Sequence, residues 1–277
     1  MKWLCLIIVG FAVGCVSDDF NNMAESFSIP TPREAADMAE RWDNPELCRR
    51  GIIYLANSPF GGAPSYLNQY RDFIGGKYVP PVTPIVRAAS IKALARFGTG
   101  DDALIIEPWL SRNNTDSEQV RRAAAIALQR LHNTKVVFSL LRSLEDIDES
   151  PQVRSAVATA LGQYPERKVF DGLIAALMST NLSINLSAAQ SLHNLTGQVF
   201  GTDWEEWYEW GELVKEENNN LFAFQLEYNY PTYQYIDRWW DKLIFWEYRI
   251  HEKPGIPAGL EDPSARTTYE EDVETSK

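Results

Sequence analysis

The sequence SPQVRSAVATALG, residues 150–162, carries the pattern that decides the fold. Its fourth residue is aliphatic, its seventh is alanine and its twelfth is leucine, a spacing that places the three side chains on one face of an α-helix. The Ser-Pro pair that opens the segment suits the N-cap and the first turn of a helix. These features predict an amphipathic helix that begins at Pro151.

Four other segments of the chain repeat this pattern. The aliphatic position is taken by Leu47, Val86, Val120, Val153 and Ile184, and leucine follows eight residues later at Leu55, Leu94, Leu128, Leu161 and Leu192. Successive segments start 39, 34, 33 and 31 residues apart, and a second apolar helical segment, such as residues 134–144, occupies the interval. A unit of two helices cannot bury its apolar face alone, so the repeat predicts stacking. We expect an all-α fold, a right-handed α-solenoid of about five helical pairs over residues 36–200.

The repeated segments resemble a known family. Val86-Arg87-Ala88-Ala89, Val120-Arg121 and residues 151–162 are similar to the VRxxAxxAL signature of the HEAT-like repeats named after phycobiliprotein lyases. The stretch LTGQVFGTDW, residues 195–204, resembles the segment that closes such arrays in planctomycete-type HEAT-repeat lipoproteins. The resemblance covers residues 35–250 and implies the solenoid fold. It does not imply lyase activity, because the signature residues serve packing and function depends on sites added to a fold.

The first fifteen residues, MKWLCLIIVGFAVGC, have the architecture of a secretory signal. Lys2 supplies the positive start, and the apolar run after it is shorter than the roughly 20 residues that cross a bilayer. The small and aliphatic residues before Cys15 resemble the lipobox of bacterial lipoproteins, in which the cysteine is lipidated. This resemblance implies a signal peptide over residues 1–14, a lipidated Cys15 and a tether over residues 15–35. Ordinary cleavage and an uncleaved anchor are the alternatives.

A lipidated Cys15 predicts that the protein is located in the cell envelope. Val16, which comes after the cysteine, favours the periplasmic side of the outer membrane under the sorting rule of enteric bacteria. The inner membrane is the alternative.

The C-terminal part of the chain is aromatic and acidic. Residues 201–277 hold 7 basic and 18 acidic side chains, so they account for most of the net charge of −12. We expect residues 201–254 to form an aromatic segment that caps the solenoid and residues 255–277 to form a disordered acidic tail. The aromatic side chains are also candidates for binding a protein or a carbohydrate, since Tyr and Trp dominate interface hot spots. These candidates are Trp204, Trp207, Trp210, Trp239 and Trp240.

Three arginines occupy one register of the repeat: Arg87, Arg121 and Arg154. They predict either a structural ladder, in which each arginine pairs with a neighbouring repeat, or a strip that contacts an anion or an acidic partner. The carboxylates within residues 145–149 lack the glycine of a calcium-binding loop and predict a solvated loop instead. Cys48 lies in a helical pattern and predicts a packed thiol.

The sequence contains no motif for catalysis or for a cofactor. Its 3 histidines lack the HxH, HxxxH and HExxH spacings, and the chain has no P-loop, dinucleotide fingerprint or GxSxG motif. An acidic chain is also poorly suited to nucleic acid. We therefore expect no metal, no cofactor and no enzyme activity, but a membrane-anchored scaffold for an unknown envelope protein. A glycan-binding module and an enzyme with an unrecognised site are the alternatives.

Overall fold

The computed structural model describes residues 30–230, apart from residues 59–60, 77, 79–80, 218, 227 and 229. This part of the chain forms eleven α-helices and no strand. The helices are α1 Pro32–Ala39, α2 Pro45–Ala56, α3 Pro64–Gly75, α4 Pro84–Phe97, α5 Ala103–Ile106, α6 Glu118–Ala127, α7 Val137–Glu145, α8 Pro151–Leu161, α9 Arg167–Leu177, α10 Leu182–Thr196 and α11 Trp204–Glu216. Three 3₁₀ turns adjoin α5 and α7, at Gly100–Asp102, Glu107–Leu110 and Thr134–Val136.

The helices alternate between two layers. The first helices, α2, α4, α6, α8 and α10, pack against one another in chain order. The second helices, α3, α5 with its 3₁₀ turns, α7, α9 and α11, form the other layer in the same order. The short helix α1 precedes the first pair and packs against α2. The fold is therefore an all-α solenoid of five helical pairs, and its predicted right-handed sense stays a prediction.

The helices begin where the sequence predicts. Proline stands in the first turn of α2, α4 and α8, where the missing N–H has no helical partner to lose. The side chains of Asn44, Ser150 and Asn181 accept hydrogen bonds from backbone N–H groups of the first turn. Thr83 and Ser117 occupy the same position, but their side chains make no capping hydrogen bond.

The repeated aliphatic positions form the core between the layers. Val86, Val120, Val153 and Ile184 are buried, and so are the five leucines that follow them. Leu47 is only half-buried. Its helix, α2, is the first of the five first helices, and on its outer side α2 packs against the short helix α1 instead of a full repeat. The core consequently runs through every pair rather than lying in one place.

Hydrogen bonds between neighbouring repeats satisfy the carbonyl groups at the ends of the first helices. Gln163, which is fully buried, donates through Nε2 to the carbonyl of Leu128 at 2.8 Å. One repeat further on, the hydroxyl of Ser191 donates to the carbonyl of Ala158, also at 2.8 Å. These carbonyls lack a partner within their own helix, so the next repeat completes their bonding.

The structure corrects two predicted boundaries. The tether predicted over residues 15–35 ends earlier, because α1 begins at Pro32 behind a capping box formed by Thr31 and Glu34. This Thr-x-x-Glu pattern is visible in the sequence. The boundary predicted after residue 200 falls inside the fifth pair, because α11 packs against α9 in the place of a second helix. Pro108 lies in the 3₁₀ turn Glu107–Leu110, which follows α5 directly.

The chain returns over the first-helix layer after α11. The N–H of Leu226 donates to the carbonyl of Asn194 at 2.7 Å, and the Tyr228 hydroxyl donates to the carbonyl of Thr159 at 2.7 Å. Gly197 ends α10 with a φ of 72°, and a Cβ there would lie 2.4 Å from the carbonyl oxygen of Phe224. Glycine is therefore required at this position for both its conformation and its size. The predicted signal peptide, residues 1–14, and the predicted acidic tail, residues 255–277, lie outside the described residues.

Candidate functional site

A buried ion pair joins the third and fourth repeats. Arg121, in α6, donates to Glu149 through Nε at 2.6 Å and through Nη2 at 3.0 Å. Its Nη1 donates to the carbonyl of Thr115 at 2.9 Å, so every nitrogen of the guanidinium has a partner. The Glu149 side chain is 1% exposed. The prediction of a solvated loop is thus wrong for Glu149, because its carboxylate turns inward to meet an arginine 28 residues earlier.

The other two arginines of the register have different surroundings. The Arg87 guanidinium lies 3.9 Å from the centre of the Trp109 ring, in a cation–π contact. Burial lowers the pKa of Arg87 below its ordinary value. Arg154 donates through Nε to the carbonyl of Leu144 at 2.9 Å. The three arginines therefore contact the adjoining loops and second helices rather than one shared ligand, and contact of this register with an anion or a partner stays a prediction.

A second ion pair joins the first and second repeats. Arg71, in α3, lies 2.7 Å from Asp102 through Nε and 3.0 Å through Nη2. The backbone N–H of Thr99 donates to the same carboxylate at 2.8 Å. Burial acts to raise the pKa of Asp102, but the hydrogen bonds from Arg71 and Thr99 outweigh burial, so the pKa of Asp102 lies below its ordinary value.

This depressed pKa makes the stability of the protein sensitive to acid. A carboxylate whose pKa is lower in the folded state stabilises that state above its unfolded pKa, about 3.9, and the contribution is lost as the pH falls through the folded pKa. The Asp102→Asn variant has no carboxyl group at this position, so this pH-dependent contribution to stability is absent from it. We expect the variant to be less stable than the wild type at pH 7 and the difference to shrink below about pH 4. Urea unfolding at several pH values measures it, and a constant difference would contradict the assignment.

The predicted binding aromatics have unequal exposure. Trp207 is fully buried, packs edge-on against Phe200 with ring centres 4.9 Å apart, and donates through Nε1 to the carbonyl of Gly201 at 2.9 Å. Its candidacy for ligand binding is therefore wrong, because the fifth pair encloses the ring. Trp210 is half-buried and Trp204 is exposed. Trp239 and Trp240 lie outside the described residues.

A large cleft lies between the second and third repeats. Its volume is about 1030 Å³, and Arg112, Ser139, Arg142 and Glu145 are among its lining residues. The wall is mostly polar, and Arg112 lies 3.4 Å from Asp146 across it. Its charged groups are thus partly satisfied within the chain.

Part of the described chain matches the model of a known protein family. Residues 106–193 match the family model described as HEAT repeats. This stretch is HEAT-like. The match runs from α5 to α10 and covers the arginines of the third and fourth repeats. A comparison with curated proteins finds no match. The finer resemblances, to the lyase-type repeats and to planctomycete lipoproteins, stay predictions.

Three further features of the HEAT-like solenoid bear on thiol reactivity, metal binding and membrane insertion. Cys48 is buried, its Sγ lies 3.2 Å from the carbonyl of Ala39, and burial raises the pKa of its thiol to about 11. Within the described ranges no group of three His, Cys, Asp or Glu side chains could hold a metal ion. None of the helices described here has the length and apolar character needed to span a membrane.

An exposed row on the second helices was not predicted from the sequence. Leu104, Phe138 and Asp171 hold the same register on α5, α7 and α9, and Asp171 lines one cleft with Tyr208 of α11. Phe138 is 71% exposed and Leu104 is 40% exposed. We call these four residues the second-helix row. The repeat could have indicated the exposure of Phe138. It places Phe138 two residues before the buried Leu140, a helical spacing that turns the two side chains to opposite faces.

Proposed function

We propose that this protein is a lipid-anchored, non-catalytic scaffold of the cell envelope, which docks a partner protein on its second helices. The observation that carries the proposal is the second-helix row. HEAT repeats commonly act as protein-interaction scaffolds, and solenoids bind partners along extended surfaces. The signal architecture of residues 1–15 supports the anchor.

The second-helix row has the composition of a binding surface. Its exposed members include an aliphatic and two aromatic side chains, Leu104, Phe138 and Tyr208, and the apolar side chains of Met178 and Leu213 are exposed on the same layer. Aromatic residues lose little conformational entropy when they are buried by a partner, and they contribute disproportionately to binding. Phe138 takes no part in the core, so its exposure is not required for folding.

Photocross-linking in cells tests the docking surface. A photoreactive phenylalanine analogue at position 138 is expected to cross-link to a discrete partner. The same analogue at Ile147, a loop residue that is 84% exposed, is the matched control and should not cross-link. We also expect Phe138→Ala to weaken partner binding by about 2 kcal/mol or more. Equal cross-linking at the two positions would contradict the proposal.

The anchor is tested separately. Residues 16–31 separate Cys15 from α1 and can reach at most roughly 58 Å, which keeps the solenoid close to the membrane surface. Mass spectrometry of the membrane-extracted protein should show a lipid-modified peptide that begins at Cys15. Cys15→Ser should abolish the modification and release the protein from the membrane fraction. An unmodified N-terminus in the wild type would remove the anchor and leave the docking surface to be judged by cross-linking.

A further inference from the structure

The two layers of the solenoid differ in charge. Across the five first helices, which are all described, the only acidic side chains are Glu46 and Glu118, each in the first turn of its helix. The second helices contain eight acidic side chains, and five of these are glutamates of α11. The five first helices carry eight arginine and lysine side chains against these two glutamates, so the first-helix layer is the basic side of the solenoid.

A groove lies in this basic layer, between α2 and α4. Its volume is about 290 Å³. The apolar floor consists of the half-buried Ile53 and Ile85 with Ala88 and Ala89 between them. Since Ile85 and the alanines recur at helical spacing, the groove follows the surface of α4 as a strip rather than forming a closed pocket.

Three cations border the groove, and no carboxylate is among the lining residues that the structure describes. Arg49 is engaged with Glu46, its Nε lying 3.0 Å from Oε2. The buried Arg96 donates through Nη1 to the carbonyl of Ala56 at 2.8 Å and to Oδ1 of Asn57 at 3.1 Å. Lys92 is exposed, and no described carboxylate lies within ion-pair distance of its Nζ. The groove therefore offers an apolar floor with an available ammonium group beside it.

The positive character continues onto the third repeat. Arg122 is exposed on α6 at the register position that Ala88 holds on α4, and Gln119 of α6 completes the wall of the groove. An apolar strip flanked by cations complements a segment that alternates apolar side chains with carboxylates.

We propose that the groove between α2 and α4 docks an acidic amphipathic segment of a partner protein. Apolar side chains of that segment contact Ile53 and Ile85, and a carboxylate pairs with Lys92. The inference rests on the proposed scaffold function, and it adds a second docking surface on the layer opposite the second-helix row. The protein then holds two partner surfaces at once, one on each layer.

A fluorescent peptide tests the proposal with the full chain. The probe is a synthetic peptide of alternating glutamate and leucine, and the same peptide with lysine for glutamate is its counterpart. We expect the acidic peptide to bind and its affinity to fall as the salt concentration rises, whereas the basic peptide should not bind. Lys92→Glu should lower the affinity about tenfold or more, because it places like charge opposite the ligand.

Lys135→Glu is the matched control, because it makes the same charge change at an exposed lysine on the second-helix layer. It should leave binding of the acidic peptide unchanged, and thermal melts should show that both variants fold. Equal loss in the two variants, or binding of the basic peptide, would overturn the proposal. Binding that appears only after deletion of residues 255–277 would also overturn it, since the chain's own acidic tail would then be the occupant.

The test separates this inference from the scaffold proposal. Cross-linking at position 138 reports on the second-helix row and does not involve Lys92. Retained cross-linking without peptide binding would reject the groove alone, whereas peptide binding without cross-linking would reject the second-helix row.

Discussion

Replacing Glu149 by glutamine is expected to lower the free energy of unfolding by about 3–5 kcal/mol, one of the two largest effects that the structure predicts. The glutamine keeps the size of the side chain but removes the charge that compensates Arg121, whose own side chain is 9% exposed. An uncompensated guanidinium would then remain in the interior. Denaturant unfolding followed by circular dichroism measures the loss.

Two further variants test whether charge is the cause. Glu145→Gln makes the same change at an exposed residue and should alter stability by less than about 0.5 kcal/mol. Replacing both partners by apolar residues, Arg121→Met with Glu149→Leu, should recover most of the loss, because neither charge is then left unpaired. If the double variant were as unstable as Glu149→Gln, packing rather than charge would explain the effect.

Trp207→Ala is expected to cost about 3–5 kcal/mol, because it removes a fully buried ring from the fifth pair. The ring contacts Phe200, and its centre lies 6.4 Å from that of Phe170 in α9, so its loss opens a cavity where α11 meets the fourth pair. In a solenoid the end unit can open without the rest. We therefore expect the loss of protection from hydrogen exchange to be greatest in α9 and α11.

Trp204→Ala is the matched control for this prediction. Trp204 stands at the start of the same helix but is exposed, so its replacement should change stability far less. A result in which the two variants are equally stable would show that α11 does not depend on the Trp207 contact.

Much of the architecture could be predicted because it depends on short-range periodicity. Val120 and Val153 are recognisable as core residues since each recurs at helical spacing with a leucine eight residues later. The burial of Glu149 could not be predicted in this way. Its neighbours in the chain are exposed carboxylates, and the arginine that draws it inward belongs to the preceding repeat.

The exposure of the second-helix row and the packing of α11 as a second helix were not predicted from the sequence, for related reasons. Phe138 lies within the run VVF, where an aromatic residue resembles another core residue until the stacking fixes which face is covered. The aromatic composition after residue 200 suggested a separate cap, whereas Trp207 fills the space between α9 and α11. Both distinctions depend on contacts between elements that are distant in sequence, and helical spacing alone carries no information about them.

The hydrogen bonds between repeats also bear on how the molecule responds to force. Gln163 and Ser191 each attach one repeat to the last turn of the preceding first helix, through the carbonyls of Leu128 and Ala158. A load applied between the two ends of the stack must pass through these junctions in series, so each junction takes up part of the strain. Because each repeat contacts only its neighbours, small tilts at successive junctions would add together, and we expect the solenoid to lengthen under load while its individual helices stay intact.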